Sequence, residues 1–566
     1  MIYEKNTGLK MKLKYVTFYC IMVFSGAAQA EETTSQAPRL STQDIMDILV
    51  GEGVINSQRA DELMQSLANK KLQQPIKEQK QAAQSEETPL QSKVVRVPYV
   101  PEFVRDQIRD EVRLGLHDEV VNDVFAQAKN ELWGVPGAMP EWTTRIKFSG
   151  DFRLRYQGDF FADQNTATGS SWYFDGDAVN DAGGFSNDPS IFHNILEDRN
   201  RLRTRLRLAM DAKVTEGINV GMRLATGKTS DPVSTNQTLG NSNQPYSVIL
   251  DRAFIKTKTR YNELTFSGGR IANPWMGTDL IWDGDLNFDG MAANYRPLQS
   301  DSMDNDERML DAFVTLGAFP LAEVELSSHD KWLYGLQTGI NWRFQNQSSF
   351  DFAVAYYDYR NIEGERNQRN QSSPNLNDYT APSLFTTGNT LFNIANNPGN
   401  TSETLLALAA DYNIANVYMR YNIVRFAPVN VGLSFDYVKN IGYKKDDVLA
   451  RTNGSGGLIS TTGNNDGVAQ VKGYMFRVDL GWPNIKQRDN WNLSMAYRYL
   501  ERDAVLDIYS DSDFRGGGTD NKGYILQGQY ALDDNTWMTL KLISADEIDG
   551  PLYGLDTVQL DLNAAF

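Results

Sequence analysis

The chain has 566 residues, 41% hydrophobic and 11% aromatic, with a formal net charge of −17 and a mean hydropathy of −0.46. That acidity argues against a nucleic-acid partner, and that hydropathy excludes a bundle of membrane helices. After residue 30 no apolar run approaches the roughly 18 residues a spanning helix needs, a test that a barrel of alternating strands escapes.

Residues 1–30 read as a secretory signal. Lys5, Lys10, Lys12 and Lys14 form a basic region, Tyr15 to Phe24 an apolar stretch, and Ala28 to Ala30 a small-x-small cleavage site. Met11 is an alternative start. The segment carries four lysines and Glu4, a net of +3, so cleavage near Ala30 takes the charge from −17 to −20. Cys20, the one cysteine, lies inside the signal, so the exported chain has no disulfide.

Residues 31–96 predict a helical pair and a linker. Ser41 or Thr42 caps the first helix and Gly51 or Gly53 stops it; Asn56 or Ser57 caps the second. The stretch 73–92, rich in Gln, Lys, Glu and Pro, reads as flexible. Residues 97–143 predict a longer helix whose stripe of Val104, Ile108, Val112, Leu116, Val120 and Val124 must pack on something. A coiled coil between subunits is one option; a helix that plugs or underlies a barrel is the other.

From 144 to 566 the period changes to two. In Ile146 to Gln157, Ile146, Phe148, Phe152, Leu154 and Tyr156 fall on one side and Lys147, Ser149, Asp151, Arg153, Arg155 and Gln157 on the other. Strands are expected at 146–157, 199–212, 218–227, 247–258, 263–271, 288–296, 309–318, 332–344, 349–359, 411–425, 430–440, 471–482, 491–500, 522–531, 536–544 and 555–566. The connections alternate between short ones, such as 213–217 and 532–536, and long ones rich in Asn, Gly, Ser, Asp and Thr. Long loops at one end only suit an all-β transmembrane barrel of about 16 antiparallel strands, with short turns in the periplasm. Trp482, Trp491, Tyr497 and Tyr499 near strand ends fit interfacial aromatic girdles.

Four stretches carry a family resemblance: Gly51 to Leu63, Val97 to Arg113, Phe148 to Gln157, and "GRIANPWMGTDLIWDGDLNFDG" from Gly269 to Gly290. In these the chain resembles the putative porin family of Gram-negative outer membranes. The resemblance implies a 16-stranded trimeric-porin-like barrel, hence a homotrimer in outer-membrane lipid and lipopolysaccharide. It implies no cofactor and no particular solute. The terminal Phe566 is then an expected signal for the barrel-assembly machinery, and the N-terminal helices are candidates for contact with the cell wall.

The segment "RNRLRTRLRLAM" places arginine at every second residue from Arg199 to Arg207. A 16-stranded lumen is too wide for side chains alone to fill, and an inward-folded third loop would narrow it. That loop, Ala272 to Asn287, carries Asp279, Asp283 and Asp285, with Asp289 just beyond. Facing it would stand a basic wall of Arg153, Arg155, Arg201, Arg203, Arg205, Arg207 and Arg223. Solvent and the acidic loop would relieve their repulsion, and the transverse field would act on permeating solutes. A solvated wall indifferent to transport is the plainer account. Placed on the outer rim instead, the four aspartates would form a divalent-cation site.

Catalysis finds little support. His117 falls in the helix, and His193 and His329 fall in expected outer loops. The segment Asp283 to Gly290 echoes a calcium loop but lacks the closing glutamate. The expected function is a water-filled outer-membrane channel for small hydrophilic solutes and ions. The alternatives are a structural or adhesive barrel that links to the cell wall, and a substrate-specific anion channel.

Overall fold

A computed structural model of the chain describes residues 145–566, apart from 166–172, 186–190, 260–262, 299–308, 326–327, 369–374, 383, 397–402, 452–458 and 461–467. The expected signal, helical pair and long helix therefore lie outside the described residues. Sixteen strands form the wall: β1 Ile146–Phe161, β2 Arg199–Lys213, β3 Ile218–Thr226, β4 Val248–Lys258, β5 Leu264–Ala272, β6 Asn287–Tyr295, β7 Leu310–Ala322 and β8 Lys331–Arg343. There follow β9 Ser349–Arg360, β10 Asn413–Phe426, β11 Val429–Asn440, β12 Lys472–Gly481, β13 Trp491–Leu500, β14 Asn521–Asp533, β15 Thr536–Glu547 and β16 Gly554–Ala565.

Each pairs antiparallel with its neighbour, and β16 returns to β1 with Asp151 opposite Ala565 and Phe161 opposite Leu555. The final residue extends this seam: the Phe566 amide donates to the Gly150 carbonyl, and the Gly150 amide to that of Phe566. Closure leaves no unpaired edge, which hydrocarbon would not tolerate. The strand order is the one the alternation predicts. The tenth strand begins only at Asn413; the apolar run before it contributes Leu406–Leu408 to a separate three-stranded sheet with Thr390–Asn393 and Ile459–Ser460.

The side-chain period sorts the two faces. Phe148, Leu154, Leu202, Leu206 and Leu208 are exposed on the outer surface, while Arg155, Gln157 and Asp159 on the same strands are buried within. Aromatic side chains gather near the strand ends. Trp482 and Trp491 meet edge to face at 5.3 Å near one end, and Tyr474 stacks on Tyr499 at 5.1 Å near the other.

Part of the lumen is apolar, which a wet wall does not predict. Phe319, Leu333, Tyr357, Met475, Ala496 and Ile543 on the inner face join one cluster with Phe174 and Ile191 from the first long loop and Leu280, Ile281 and Trp282 from the third. Leu391, Leu406 and Tyr412 of the fifth and Leu506 and Phe514 of the seventh complete it. The long loops thus fold into the barrel mouth and share a core there.

A charge on the outer face separates the two sides experimentally. Leu206→Arg should cost about 2–4 kcal/mol in a lipid-reconstituted denaturant titration, and Gln529→Arg, inside the barrel, far less. Equal losses would contradict this assignment of faces.

Candidate functional site

The strand register sets like charges side by side. Arg153 lies opposite Arg205 and Arg155 opposite Arg203 across β1 and β2. Arg223 lies opposite Arg252 across β3 and β4. Cross-strand pairs of equal charge are destabilising, so each guanidinium needs a compensating group.

Most compensation comes from the wall. Asp151 takes Arg205 at 2.8 Å and Arg207 at 2.7 Å. Asp159 takes Arg201 at 2.5 Å. Asp561 holds Arg155 through Nε at 2.7 Å and Nη2 at 2.9 Å, the paired geometry in which arginine binds carboxylate best. Asp251 pairs with Arg223. Two loops supply the rest. Asp285 of the third loop reaches Arg205 at 3.4 Å and Arg207 at 3.1 Å. Asp513, in the loop after β13, reaches Arg155 at 3.0 Å and Lys541 at 3.4 Å. Arg153 bonds to Asn236 and lies 4.0 Å from Asp561. Arg203 meets only the Gln157 amide oxygen, at 3.1 Å, and Arg252 only that of Asn287, at 2.6 Å. Among the described residues neither has a carboxylate within 4 Å.

The third loop, residues 273–286, crosses the lumen on three anchors. Gly269 and Gly290 face each other at its base with φ of 109° and 138°, and a Cβ on either would stand 2.3 Å from a neighbouring carbonyl oxygen. Only glycine adopts that bend freely. Trp275 then lies on Gly317 of β7 and Gly335 of β8, where a side chain would strike its ring. Gln337 brackets Met276, accepting from its amide at 2.8 Å and donating to its carbonyl at 2.7 Å. Asp436 of β11 accepts from the Thr278 amide at 2.9 Å and hydroxyl at 2.7 Å. Beyond these anchors Asp279 stands in electrostatic reach of Arg477, Arg498 and Lys541.

The four aspartates of the sequence reading have separate fates. Asp285 alone pairs with the arginine ladder. Burial would raise its carboxyl, but Arg205, Arg207 and Arg153 outweigh that and hold it below the ordinary range. Asp283 accepts from the Ser512 amide at 2.8 Å, and burial with the nearby Asp511 carboxylate pushes it well above that range. Asp279 makes no ion pair within 4 Å among the described residues. Asp289 is not a loop residue, because β6 has begun at Asn287; it pairs with Arg270 at 2.9 Å, away from the ladder. No group of acidic residues suited to a metal ion occurs among the described residues, and the engagement of Asp285 and Asp289 with arginines removes them from a shared rim site.

Residues 39–566 match the family described as putative porins. The chain belongs to this family. Membership supports an outer-membrane channel protein. Among solved structures it is similar to the outer-membrane channel DcaP of Acinetobacter baumannii, at 11% identity over 74% of this chain and 97% of that one, with a TM-score of 0.38. It is similar also to OprB of Pseudomonas putida, at 11% over 77% and 97% with a TM-score of 0.41. A third is Salmonella typhi OmpF in complex with daunomycin, at 9% over 74% and 97% with a TM-score of 0.37. No curated protein matches the chain.

In this porin-family chain the sequence reading omitted the second inward loop, 501–520, with Asp511 and Asp513, and the cations Arg477, Arg498 and Lys541. Burial would raise Asp513, yet Arg155, Lys541 and Arg153 keep it well below the ordinary carboxylate range. Nothing in a loop's sequence signals that it folds inward. Asp151 and Asp561 were more accessible, since each lies on the polar face of its strand with the arginines.

Two substitutions probe this site. Asp151→Ala leaves Arg205 and Arg207 with Asp285 alone and should cost about 2 kcal/mol in denaturant unfolding; an unchanged midpoint would deny Asp151 its compensating role. Gly335→Val puts a side chain where the Trp275 ring lies. A spin label at Asp279→Cys should then report a faster third loop, whereas an unaltered spectrum would rule out the glycine seat as its anchor.

Proposed function

We propose that the chain is a porin for passive diffusion of small hydrophilic solutes and ions, with its constriction between the arginine ladder and the inward loops. The observation that carries this reading is the charge balance at the ladder. Carboxylates neutralise most of the guanidiniums, while Arg203 and Arg252 keep only amide partners. A solute passing Asp285 therefore meets a transverse field with a cationic excess on the wall. Arginine suits that task because it stays charged at any working pH. The excess favours anions, which also supports the second reading, a channel specific for anionic solutes.

The finer expectations accompany this proposal: export by a signal cleaved near Ala30, assembly through Phe566, a homotrimer, and N-terminal helices that trimerise, plug or tether. Membrane lipid, lipopolysaccharide and the assembly machinery are the expected partners.

The test is planar-bilayer conductance under a salt gradient, wild type beside Arg201→Ala/Arg203→Ala/Arg205→Ala. Stable steps are expected, with a reversal potential that moves toward cation preference in the variant. Unchanged selectivity would discard the ladder. An absence of steps from folded protein would favour the structural or adhesive alternative.

A further inference from the structure

The long-loop end holds a cavity of 1710 Å³, distinct from the ladder but adjoining it. Its lining includes Thr235, which donates to Asp285 at 3.2 Å, and Asp251, the partner of Arg223. Most of its wall is hydrocarbon, with Phe288, Phe319, Leu321 and Leu333 on one side. A vestibule that served only ions and water would have no use for such a surface, since apolar walls favour solutes with an apolar body.

One charged group stands out in that wall. Lys331, the first residue of β8, lines the cavity yet is only 3% exposed. Its ammonium donates to the Thr380 carbonyl at 2.8 Å, its one hydrogen bond to the described residues. No carboxylate pairs with it within 4 Å among the described residues. The acidic groups of the same lining are engaged elsewhere or exposed. Asp289 pairs with Arg270 and Asp251 with Arg223, Asp231 accepts from the Val233 amide at 3.2 Å, and Glu323 and Glu325 are exposed. Asp507 accepts from the Asn389 side of the chain, its carboxyl held by backbone amides.

Burying an ammonium without a counter-charge is costly, and such groups are ordinarily paired. An ammonium with unused donors at the edge of a hydrocarbon wall has the layout of a receptor for an amphipathic anion. We propose that this vestibule binds organic carboxylates with an apolar body, the carboxylate on Lys331 and the body against Phe288, Phe319, Leu321 and Leu333. The position is that of a capture site before the ladder, where the cationic excess at Arg203 and Arg252 would receive the same anion next. This last point rests on the channel reading; the binding itself does not.

The test is calorimetric titration of the purified full chain in detergent with four probes: benzoate, benzamide, benzylamine and acetate. Benzoate is expected to bind at least about tenfold more tightly than the neutral amide, the cation or the short acid, as loss of a charge-assisted contact or of the apolar body predicts. Lys331→Met, checked for folding by heat-modifiable migration, is expected to weaken benzoate by a similar factor, and Lys331→Arg to retain it. Equal binding of benzylamine or benzamide to the wild type would overturn the proposal without any variant, as would full benzoate affinity in folded Lys331→Met. Conductance is measured separately. A chain that binds benzoate but forms no steps would sink the porin reading and leave this site standing.

Discussion

Closure of the backbone hydrogen-bond ladder governs this structure. In hydrocarbon an unpaired amide or carbonyl costs several kcal/mol, so β16 must find β1 and every strand must lie between two others. The pairing of Asp151 with Ala565 through Phe161 with Leu555 meets that demand, and the reciprocal bonds between Gly150 and Phe566 carry it to the last residue. Once the sheet is closed, side chains have only two destinations. Leu202, Leu206 and Leu208 go to lipid, and Arg201, Arg203, Arg205 and Arg207 go inside whatever their mutual repulsion.

That repulsion is the second constraint. The same register that closes the barrel places Arg153 beside Arg205 and Arg155 beside Arg203. A ladder of this kind is tenable because Asp151, Asp159 and Asp561 share its face and because Asp285 and Asp513 arrive from loops. The charge balance of the ladder is therefore a joint product of wall and loops. Electrostatics ties the third and seventh loops to the arginines, and the apolar cluster of Leu280, Trp282, Leu506 and Phe514 ties them to each other. Charge sets where Asp285 and Asp513 sit; hydrocarbon keeps the segments that carry them inside.

The interior is consequently divided in character. Beside the ladder it is ionic and hydrogen-bonded, while at the long-loop end much of its surface is apolar, with the buried ammonium of Lys331 in its wall. A polar solute and an amphipathic one would thus find different resting places along the same path. The two inferences about function use these regions independently: one rests on the guanidiniums of Arg203 and Arg252, which hydrogen-bond only to amides, the other on a buried ammonium in a hydrocarbon wall.

Alternation along segments such as Ile146 to Gln157 and Arg199 to Met210 determined by itself that they are strands and which side chains share a face, and the number of such segments with their alternating short and long connections pointed to a barrel of about 16. Local period and turn spacing suffice for that, because in a strand the side-chain direction follows directly from residue parity. Parity even carried the answer to the arginine problem, since Asp151 and Asp561 lie on the inward face, although their pairing depends on a strand register that one segment does not contain. Only the tertiary structure decided that Asp285 meets the ladder while Asp283 turns to Ser512 and Asp289 pairs with Arg270. It alone brought in the loop bearing Asp513, seated Trp275 on Gly317 and Gly335, and left Lys331 beside hydrocarbon. Loop residues have no fixed period, so their positions come from contacts between segments as far apart as Arg155 and Asp513, and those contacts exist only once the barrel has closed around them.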